Sequence, residues 1–229
     1  MKLIITGDGS HTLYVPRLNE HYHSTYGAIT ESEQVFIRNG LDVLQDRQRL
    51  TVLEVGFGTG LNALLTAMAA AERDLAITYY ALERYPVDPD IIACLNYPAM
   101  VARGNCDPGP LFSDIHRAPW NEMTMIRDRF LLHKIAGDIH DFTPGFNYDL
   151  LYFDAFAPGK QPDMWTEDIM RRLLHQLNPG GIFTTYCVKG AVRKLLKENG
   201  LKVLKVPGPP GKREILRGVK EAGSQKSEV

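Results

Sequence analysis

Three glycines spaced two residues apart form the stretch of the sequence with the clearest chemical potential. Gly56, Gly58 and Gly60 lie between a short apolar run and an alanine- and leucine-rich stretch, and Glu54 precedes them. Glycine allows a tight turn and lets the backbone approach a ligand closely, while the first turn of a following helix offers unpaired N–H groups. A dinucleotide-binding loop would need glycine where this chain has Leu61. The pattern therefore predicts a loop that binds a different nucleotide-type cofactor.

Three further acidic residues each follow a predicted strand. Glu83, Asp138 and Asp154 come directly after or close behind short apolar runs. Open α/β sheets bind ligands at the carboxyl ends of their strands, and a carboxylate there can accept two hydroxyl protons at once. Glu83 is therefore a candidate for binding hydroxyl groups of a ligand. Asp138 is either a ligand or an ordinary turn residue, and Asp154 is either a ligand or the cap of the following loop.

The order of predicted elements would bring these residues to one edge of a sheet. Strands are predicted at 50–55, 76–82, 130–135, 148–153, 182–186, 201–206 and 214–218. Helices are predicted from Thr30 or Ser32 to about 44, and at 62–71, 88–95, 166–177 and 190–199. This alternation is typical of an α/β fold with a mostly parallel seven-stranded sheet and helices on both faces. The runs 3–6 and 12–15 flank a glycine-containing turn and predict an N-terminal β-hairpin.

The chain divides into three parts in this interpretation. Residues 1–30 form a hairpin-and-loop extension, residues 31–219 form one main domain, and residues 220–229 form a disordered tail. The stretch 97–128 is rich in proline, glycine, tryptophan and histidine and fits no regular element. We interpret it as an insertion that lies over the site.

Composition excludes several classes of protein. The chain is 44% hydrophobic and 23% charged, with a net charge of −1, which is ordinary for a globular protein. The three cysteines form no C-x-x-C pair, and no apolar run resembles a signal peptide or a membrane span. We therefore expect a cytoplasmic protein without a metal site. From Lys189 onward, however, eleven Lys and Arg stand against four Asp and Glu, which indicates either an anionic partner or a solvated basic surface.

The glycine loop resembles a motif of class I methyltransferases, which implies a Rossmann-like fold and S-adenosyl-L-methionine as cofactor. In that family the acidic residue before the loop, here Glu54, lies near the methionine end of the cofactor. The acidic residue after the second strand, here Glu83, holds the ribose hydroxyls. An Asp after the third strand, here Asp138 with its neighbour Ile139, meets the adenine.

The segment that begins at Asp154 resembles the D-P-P-Y type of motif found in amine-directed methyltransferases. Methyl transfer is an in-line displacement, so the nucleophile must present a free lone pair. An alkyl amine is mostly protonated at neutral pH, since the reference pKa of lysine is about 10.4. Asp154 would take a proton from the amine, or hold the amine in line while water takes it. Phe156 would wall the pocket.

Longer motifs narrow the resemblance to one family. The segment 154–165, D-A-F-A-P-G-K-Q-P-D-M-W, is similar to a signature of the tRNA 5-methylaminomethyl-2-thiouridine biosynthesis enzymes, in the MnmC-like methyltransferase domain of the standalone MnmD type. Further similarity lies in the loop 56–62, G-F-G-T-G-L-N, in the segment 22–37, and in Gly211-Lys212-Arg213-Glu214. The similarity covers nearly the whole chain.

This resemblance implies a reaction and a set of residues. Such enzymes methylate the exocyclic amine of 5-aminomethyluridine, often 2-thiolated, at the wobble position of tRNA. No FAD is expected, because the chain has no room for the flavin domain of the bifunctional relatives. Asp154 is implied as the catalytic carboxylate. The residues implied in cofactor binding are Ser32, Phe36, Glu54, Gly56, Phe57, Gly58, Gly60, Asn62, Glu83, Asp138, Ile139 and Asp154.

If tRNA is the partner, the basic C-terminal part is expected to bind its phosphates. Lys160, Arg193, Lys212 and Arg213 would contact phosphates, which position the substrate without reading its sequence. The wobble base would reach the pocket splayed out of its stack, against Phe156.

Other interpretations stay open. The chain could be a class I methyltransferase acting on a small-molecule or protein amine, or an aminopropyltransferase of the same fold. It could also be a tRNA-binding accessory subunit without catalysis, although the complete set of glycines and carboxylates argues against a degenerate pocket. The sequence leaves the oligomeric state, the tRNA isoacceptors and the need for 2-thiolation undetermined.

Overall fold

The computed structural model describes residues 1–101 and 106–221. Its strands are β1 (Lys2–Ile5), β2 (His11–Val15), β3 (Glu20–His21), β4 (Arg49–Val55), β5 (Ala76–Glu83), β6 (Met123–Arg127), β7 (Phe130–Ala136), β8 (Tyr148–Phe153), β9 (Leu177–Thr185), β10 (Leu201–Pro207) and β11 (Glu214–Lys220). Its α-helices are α1 (Ala28–Ser32), α2 (Leu61–Glu72), α3 (Pro89–Ile92), α4 (Tyr97–Met100), α5 (Pro108–Arg117), α6 (Glu167–Gln176) and α7 (Gly190–Glu198).

The main sheet confirms the predicted Rossmann-like α/β fold. Its strand order is β10-β11-β9-β8-β4-β5-β7-β6. The five inner strands from β9 to β7 run parallel, and β11, β10 and β6 are antiparallel to their neighbours. After β4 the chain adds β5 and β7 on one side, and β8 and β9 follow on the other side, so β4 and β8 lie side by side at the centre. Open α/β sheets bind ligands at such a switch point.

The sheet has one strand more than the seven predicted. The additional strand, β6, comes from the stretch 97–128, which the sequence pattern left unassigned. Its exposed Met123 and Met125 show why, because this edge strand lacks the apolar alternation of a half-buried strand. The same stretch supplies α5, which begins at an Asp107 cap on the Gly109 N–H (2.9 Å). The stretch flanks the glycine loop, since Phe57 packs against Trp120 at 5.8 Å between ring centres.

The single helix predicted from about 30 to 44 is wrong in detail. The chain forms α1, then a π-helix (Glu33–Arg38), and then a separate 3₁₀ turn (Leu41–Leu44). Asn39 donates from Nδ2 to the Gln34 carbonyl at 2.6 Å. This carbonyl therefore accepts a side-chain hydrogen bond at the end of the helix. A side chain at Gly40 would overlap the Phe36 carbonyl, so the backbone is closely packed where the helix ends.

The N-terminal hairpin is confirmed, with Lys2 opposite Tyr14 and Ile5 opposite His11, and β3 extends it to three strands. Asp8 fastens the turn to α1 by accepting from the Thr30 N–H (3.0 Å) and hydroxyl (2.8 Å). At the other terminus β11 continues to Lys220. The remainder of the predicted tail, 222–229, lies outside the described residues.

Two apolar clusters cover the faces of the sheet. On one face α2 is buried along nearly its whole length, which explains its alanine- and leucine-rich composition. On the other face α6 and α7 bury apolar stripes and expose their charges. Across 1–101 and 106–221, no helix has the length and apolar character needed to cross a membrane.

Candidate active site

A cavity of about 330 Å³ opens at the carboxyl ends of the central strands. Nine of the residues predicted for the site line it: Gly56, Phe57, Gly58, Asn62, Glu83, Asp138, Ile139, Asp154 and Phe156. They come from the ends of β4, β5, β7 and β8 and from the start of α2. The structure therefore brings together residues that lie up to a hundred positions apart, as expected for a parallel sheet.

The glycine loop adopts a backbone that only glycine accepts readily. Gly56, Gly58 and Gly60 have φ of 92°, 50° and 72°. A Cβ at Gly56 would lie 2.7 Å from the Asp154 carbonyl oxygen, and one at Gly58 would lie 2.9 Å from the ring of Tyr22. The loop is thus packed between the end of β8 and the N-terminal extension, and its bare backbone forms one wall of the cavity.

Glu83 fixes the loop from the neighbouring strand. Its Oε2 accepts the Gly58 N–H at 3.0 Å, and its Oε1 accepts the Tyr85 N–H at 2.7 Å. Each carboxylate oxygen keeps a further lone pair. The side chain lines the cavity beside these N–H groups, so it can accept two hydroxyls of a ribose while it holds the loop.

Asp138 is an ionised carboxylate with partners on both oxygens. Its Oδ1 accepts from the His140 N–H (3.1 Å) and lies 2.6 Å from His140 Nδ1, while its Oδ2 lies 2.7 Å from Arg84. The His140 N–H is the main cause that holds the pKa of Asp138 below its ordinary value. Asp138 therefore offers a permanent acceptor at the β7 side of the cavity.

Asp154 has the opposite character. Burial raises the pKa of its carboxyl to about 7, with Glu31 adding to the rise and the Asn62 amide and Lys212 opposing it. The side chain lies in the wall of the cavity, directly beyond the buried end of β8. A carboxyl with a pKa near neutrality can take up and release a proton under physiological conditions.

Asn62 bridges Asp154 to a second buried carboxyl. Its Nδ2 donates to Asp154 Oδ2 and to Glu54 Oε1, both at 2.9 Å. Glu54 is fully buried, also accepts the Tyr79 hydroxyl at 2.9 Å, and has a pKa well above its ordinary value because of burial. Asn62 Oδ1 has no hydrogen-bond partner among the described residues although it is buried in the cavity wall. An unsatisfied acceptor at this point is suited to a donor group of a bound ligand.

Aromatic rings enclose the space in front of Asp154. Tyr22 and Phe156 meet edge to face at 5.5 Å, and Tyr186 completes the wall. Trp165 donates to the Phe156 carbonyl at 2.8 Å, which fixes the loop after Asp154. No role was predicted from the sequence for Tyr22, His23 or Tyr186. Tyr22 and His23 lie inside one of the quoted motifs, so that motif could have indicated them.

Four of the residues implied in cofactor binding lie outside the cavity wall. Ser32 and Phe36 are buried beneath it, where Phe36 packs on Tyr152 at 5.1 Å between ring centres. Glu54 acts through Asn62, and Gly60 forms the left-handed cap of α2. These four residues therefore lie behind or beside the cavity wall and support the residues that line it.

The basic residues predicted to contact tRNA fall into two groups. Arg193 and Arg213 are exposed. Lys160 donates from Nζ to the Leu18 and Asn19 carbonyls, each at 3.0 Å. Lys212 pairs with Glu31. The structure thus gives both lysines partners within the chain: Lys160 binds the loop after β2 in the N-terminal extension, and Lys212 binds Glu31 of α1.

The residues present fit S-adenosyl-L-methionine. Glu83 and the glycine-loop backbone suit a ribose, Asp138 and Ile139 suit an adenine, and the orphaned Asn62 Oδ1 suits a donor group near Asp154. A side chain at Gly58 would occupy this cradle at the Tyr22 wall. The aromatic space beside Asp154 is left for a methyl acceptor.

Comparison with known proteins gives a consistent assignment. Residues 117–221 match the model of a family described as S-adenosyl-L-methionine-dependent methyltransferase. The tRNA 5-methylaminomethyl-2-thiouridine biosynthesis bifunctional protein MnmC of Burkholderia multivorans is 34% identical over 224 residues, and the match covers 90% of this chain and 33% of that protein. The MnmC protein of Magnetococcus marinus is 31% identical over 218 residues, covering 92% of this chain and 32% of that protein.

The fold comparison extends over almost the whole chain. The crystal structure of MNMC2 from Aquifex aeolicus superposes with a TM-score of 0.78 at 26% identity, covering 97% of this chain and 71% of that one. This chain spans about a third of the length of the curated relatives that it matches. With the glycine loop, Glu83 and Asp154 at the carboxyl ends of the central strands, the chain resembles S-adenosyl-L-methionine-dependent methyltransferases of the MnmC type over nearly its whole length.

Proposed function

We propose that the protein transfers a methyl group from S-adenosyl-L-methionine to the exocyclic amine of 5-aminomethyluridine, or of its 2-thio form, at the wobble position of tRNA. The similar MnmC proteins are named for the biosynthesis of the methylated product of this amine. The single observation that carries the proposal is Asp154, a carboxyl with a pKa of about 7 in an aromatic pocket beside the cofactor loop.

The chemistry explains why such a carboxyl is needed. S-adenosyl-L-methionine supplies an electrophilic methyl group on a sulfonium. The amine nitrogen forms a bond to that methyl, the methyl–sulfur bond breaks with its electron pair going to sulfur, and the amine must lose one proton. No electron is transferred to an oxidant at any point, so the proposed reaction requires no flavin.

The residues of the chain divide this work. Asp154, once ionised, accepts the proton or holds the amine while water accepts it. Asn62 holds one oxygen of Asp154 and leaves the other facing the pocket. Tyr22, Phe156 and Tyr186 exclude water and restrict the directions from which an amine can approach. Binding of the cofactor is assigned to Glu83, Asp138 and the loop backbone.

The partner in this proposal is tRNA, and the place of action is the cytoplasm. The exposed Arg193 and Arg213 are candidates for phosphate contacts. A flipped-out uridine is the form of the substrate that fits a pocket enclosed by rings.

A methyl-transfer assay tests the proposal directly. Purified protein is incubated with isotopically labelled S-adenosyl-L-methionine and two tRNA pools, one that carries 5-aminomethyluridine at the wobble position and one that carries unmodified uridine there. Nucleoside mass spectrometry should find 5-methylaminomethyluridine from the first pool alone. Spermidine and a lysine-rich peptide serve as competing amines.

Three results would contradict the proposal in different ways. Label in the small amine or in the peptide, but not in tRNA, would support the alternative substrate classes. tRNA binding without any methyl transfer and without cofactor-dependent thermal stabilisation would support an accessory subunit. Transfer to unmodified uridine would remove the amine from the mechanism.

A further inference from the structure

Lys212 lies in a tight turn between β10 and β11 that docks on the N-terminal extension. Its N–H donates to the Pro209 carbonyl at 2.9 Å, which closes the turn. Gly211 has φ of 83°, and a side chain there would overlap the ring of Tyr26. Gln34 donates from Nε2 to the Pro207 carbonyl at 2.9 Å. The turn therefore packs against Tyr26 of the extension and against the π-helix that follows α1.

On one side Lys212 contacts a buried carboxylate. Its Nζ pairs with Glu31 Oε1, and the Glu31 side chain is only 7% exposed. Glu31 Oε2 accepts the Ser24 N–H at 2.7 Å. Ser24 follows Tyr22 and His23, which line the cavity. The pair thus fixes the segment that supplies one wall of the pocket.

On the other side Lys212 contacts the opposite wall. Its Nζ lies 4.0 Å from the centre of the Tyr186 ring, in cation–π geometry. Tyr186 donates from its hydroxyl to the Ala155 carbonyl at 3.0 Å, and Ala155 directly follows Asp154. One ammonium group therefore contacts both the carboxylate that holds the Ser24 N–H and the Tyr186 ring that lines the cavity.

We propose that Lys212 is a positioning residue, which with Glu31 clamps the segment Tyr22–Ser24 and the Tyr186 ring around Asp154, and that it makes no contact with tRNA phosphate. The inference rests on the proposed function for its effect on turnover. The clamp itself is a property of the free protein and can be measured without substrate.

The energetics favour a clamp over a surface contact. Transfer of Lys212 from Glu31 to a phosphate would leave this buried carboxylate with the Ser24 N–H but without a cation, which is strongly unfavourable. An exposed lysine can leave its partner for a phosphate without this free-energy penalty. Misplacement of a pocket wall by about 1 Å can lower turnover by roughly a hundredfold, so loss of the clamp should act mainly on kcat.

The test compares Lys212→Met with Lys205→Met. Both changes remove one positive charge and keep an unbranched side chain, but Lys205 forms an exposed pair with Glu214, and neither residue lines the cavity. Hydrogen exchange of the Ser24 amide should become at least about tenfold faster in Lys212→Met and stay unchanged in Lys205→Met. With aminomethylated tRNA, kcat should fall about tenfold or more in Lys212→Met alone, with the same salt dependence of tRNA binding in both variants.

Two further variants keep the test decisive if Lys212→Met folds poorly. Lys212→Arg should restore most of kcat, because a cation again meets Glu31 and Tyr186. The double variant Glu31→Gln with Lys212→Met should be more stable than Lys212→Met, since no unpaired buried carboxylate remains, yet it should keep the low kcat.

Separate outcomes refute the clamp and the proposed function. Unchanged Ser24 exchange in Lys212→Met, or a reduced salt slope of tRNA binding with normal kcat, would overturn the clamp and make Lys212 a phosphate contact. Absence of methyl transfer by the wild-type protein would refute the proposed function, while the Ser24 exchange would still decide whether the clamp exists.

Discussion

The two ends of the cavity hold carboxylates in opposite electrostatic states. At the β5 and β7 end, Asp138 has hydrogen-bond or cationic partners on both oxygens, and its pKa lies below the ordinary value. At the β8 end, Asp154 lines the cavity and Glu54 of β4 is buried behind it, and burial raises the pKa of both carboxyls. The two ends are built from the same structural element, the carboxyl end of a parallel strand.

The difference shows how one fold separates binding from chemistry. A carboxylate with a low pKa is a fixed negative charge over the whole physiological range and suits the recognition of a ligand. A carboxyl with a pKa near 7 can exchange protons and suits a reaction. Solvent exposure and the partners supplied after each strand decide between the two roles, and the strand itself does not.

The largest expected effect comes from Asp154→Asn. Turnover should fall by roughly 10²- to 10⁴-fold, because the carboxylate that orients or deprotonates the amine is lost, while cofactor affinity changes far less. Wild-type turnover should rise as Asp154 ionises near pH 7 and then level off, whereas the residual activity of the variant should keep rising as solution supplies more neutral amine. Rapid-quench assays over a pH series measure both.

Asp138→Asn is the matched change at the other end of the cavity. It should weaken cofactor binding a few-fold and leave the pH profile of turnover in its wild-type position. If both Asp variants lost affinity and turnover to the same extent, the distinction between the two ends would be wrong.

Gly58→Val should weaken S-adenosyl-L-methionine binding by about a hundredfold or more. A β-branched residue is strained at φ of 50°, and its Cβ would collide with the Tyr22 ring. Calorimetric titration provides the affinity. Gly145→Val is the control, since a Cβ at Gly145 meets no atom within 4 Å and its φ is not positive. Equal affinity in a folded Gly58→Val would remove the loop from the cofactor site.

Asn62→Leu should lower turnover by about tenfold and move its pH midpoint upward, because the lost hydrogen bond is one that lowers the pKa of Asp154. Tyr79→Phe removes a hydrogen bond from Glu54 and none from Asp154, so its pH midpoint should stay in place. A shared midpoint for both variants and the wild type would mean that Asn62 does not influence Asp154.

The smallest effect is on stability, and it differs in sign between the ends. The pKa of Asp154 is raised in the folded protein, so its ionisation opposes folding as pH rises from about 4 to about 7. Asp154→Asn should therefore raise the melting temperature at about pH 8 by a few degrees, since about 1 kcal/mol corresponds to roughly 2–4 °C in a chain of this size. The gain should vanish below about pH 4, where the wild-type carboxyl is neutral in both states.

Asp138→Asn should act in the opposite direction. Its lowered pKa means that ionisation favours folding above the unfolded pKa, so the variant should melt slightly lower than the wild type at neutral pH. Scanning calorimetry at both pH values distinguishes the two carboxylates without any substrate.

The part of the site that is local in the chain could be predicted from the sequence. Gly56, Gly58 and Gly60 lie between β4 and α2, within a few residues of each. Glu83 ends β5 and Asp154 directly follows β8, and both strands are largely apolar. Periodicity and glycine spacing suffice for such features. The helix α5 was missed although its Leu111, Phe112 and Ile115 recur at helical spacing, because proline and glycine open the segment. The strand β6 was missed because it is short and exposes its methionines.

The walls of the pocket depend on contacts that no local pattern encodes. Lys160 reaches a carbonyl 142 residues away, and Lys212 reaches a carboxylate 181 residues away. Both lysines resemble surface cations in the sequence. Lys160 binds two backbone carbonyls, and Lys212 binds a buried glutamate. Nothing in the sequence distinguishes these acceptors from solvent-exposed ones.

The docking of the β10–β11 turn on the extension also determines when the pocket can form. Tyr22 and His23, which line the cavity, are synthesised long before Lys212. Glu31 can therefore meet its partner only after the turn between β10 and β11 has been made. Contacts of such sequence separation slow folding, because a long loop must close before they contribute. The parallel centre with its glycine loop can assemble earlier. A nascent chain that lacks the β10–β11 pair would therefore carry the cofactor cradle without the proposed clamp, and the amine pocket would be completed only when that strand pair forms.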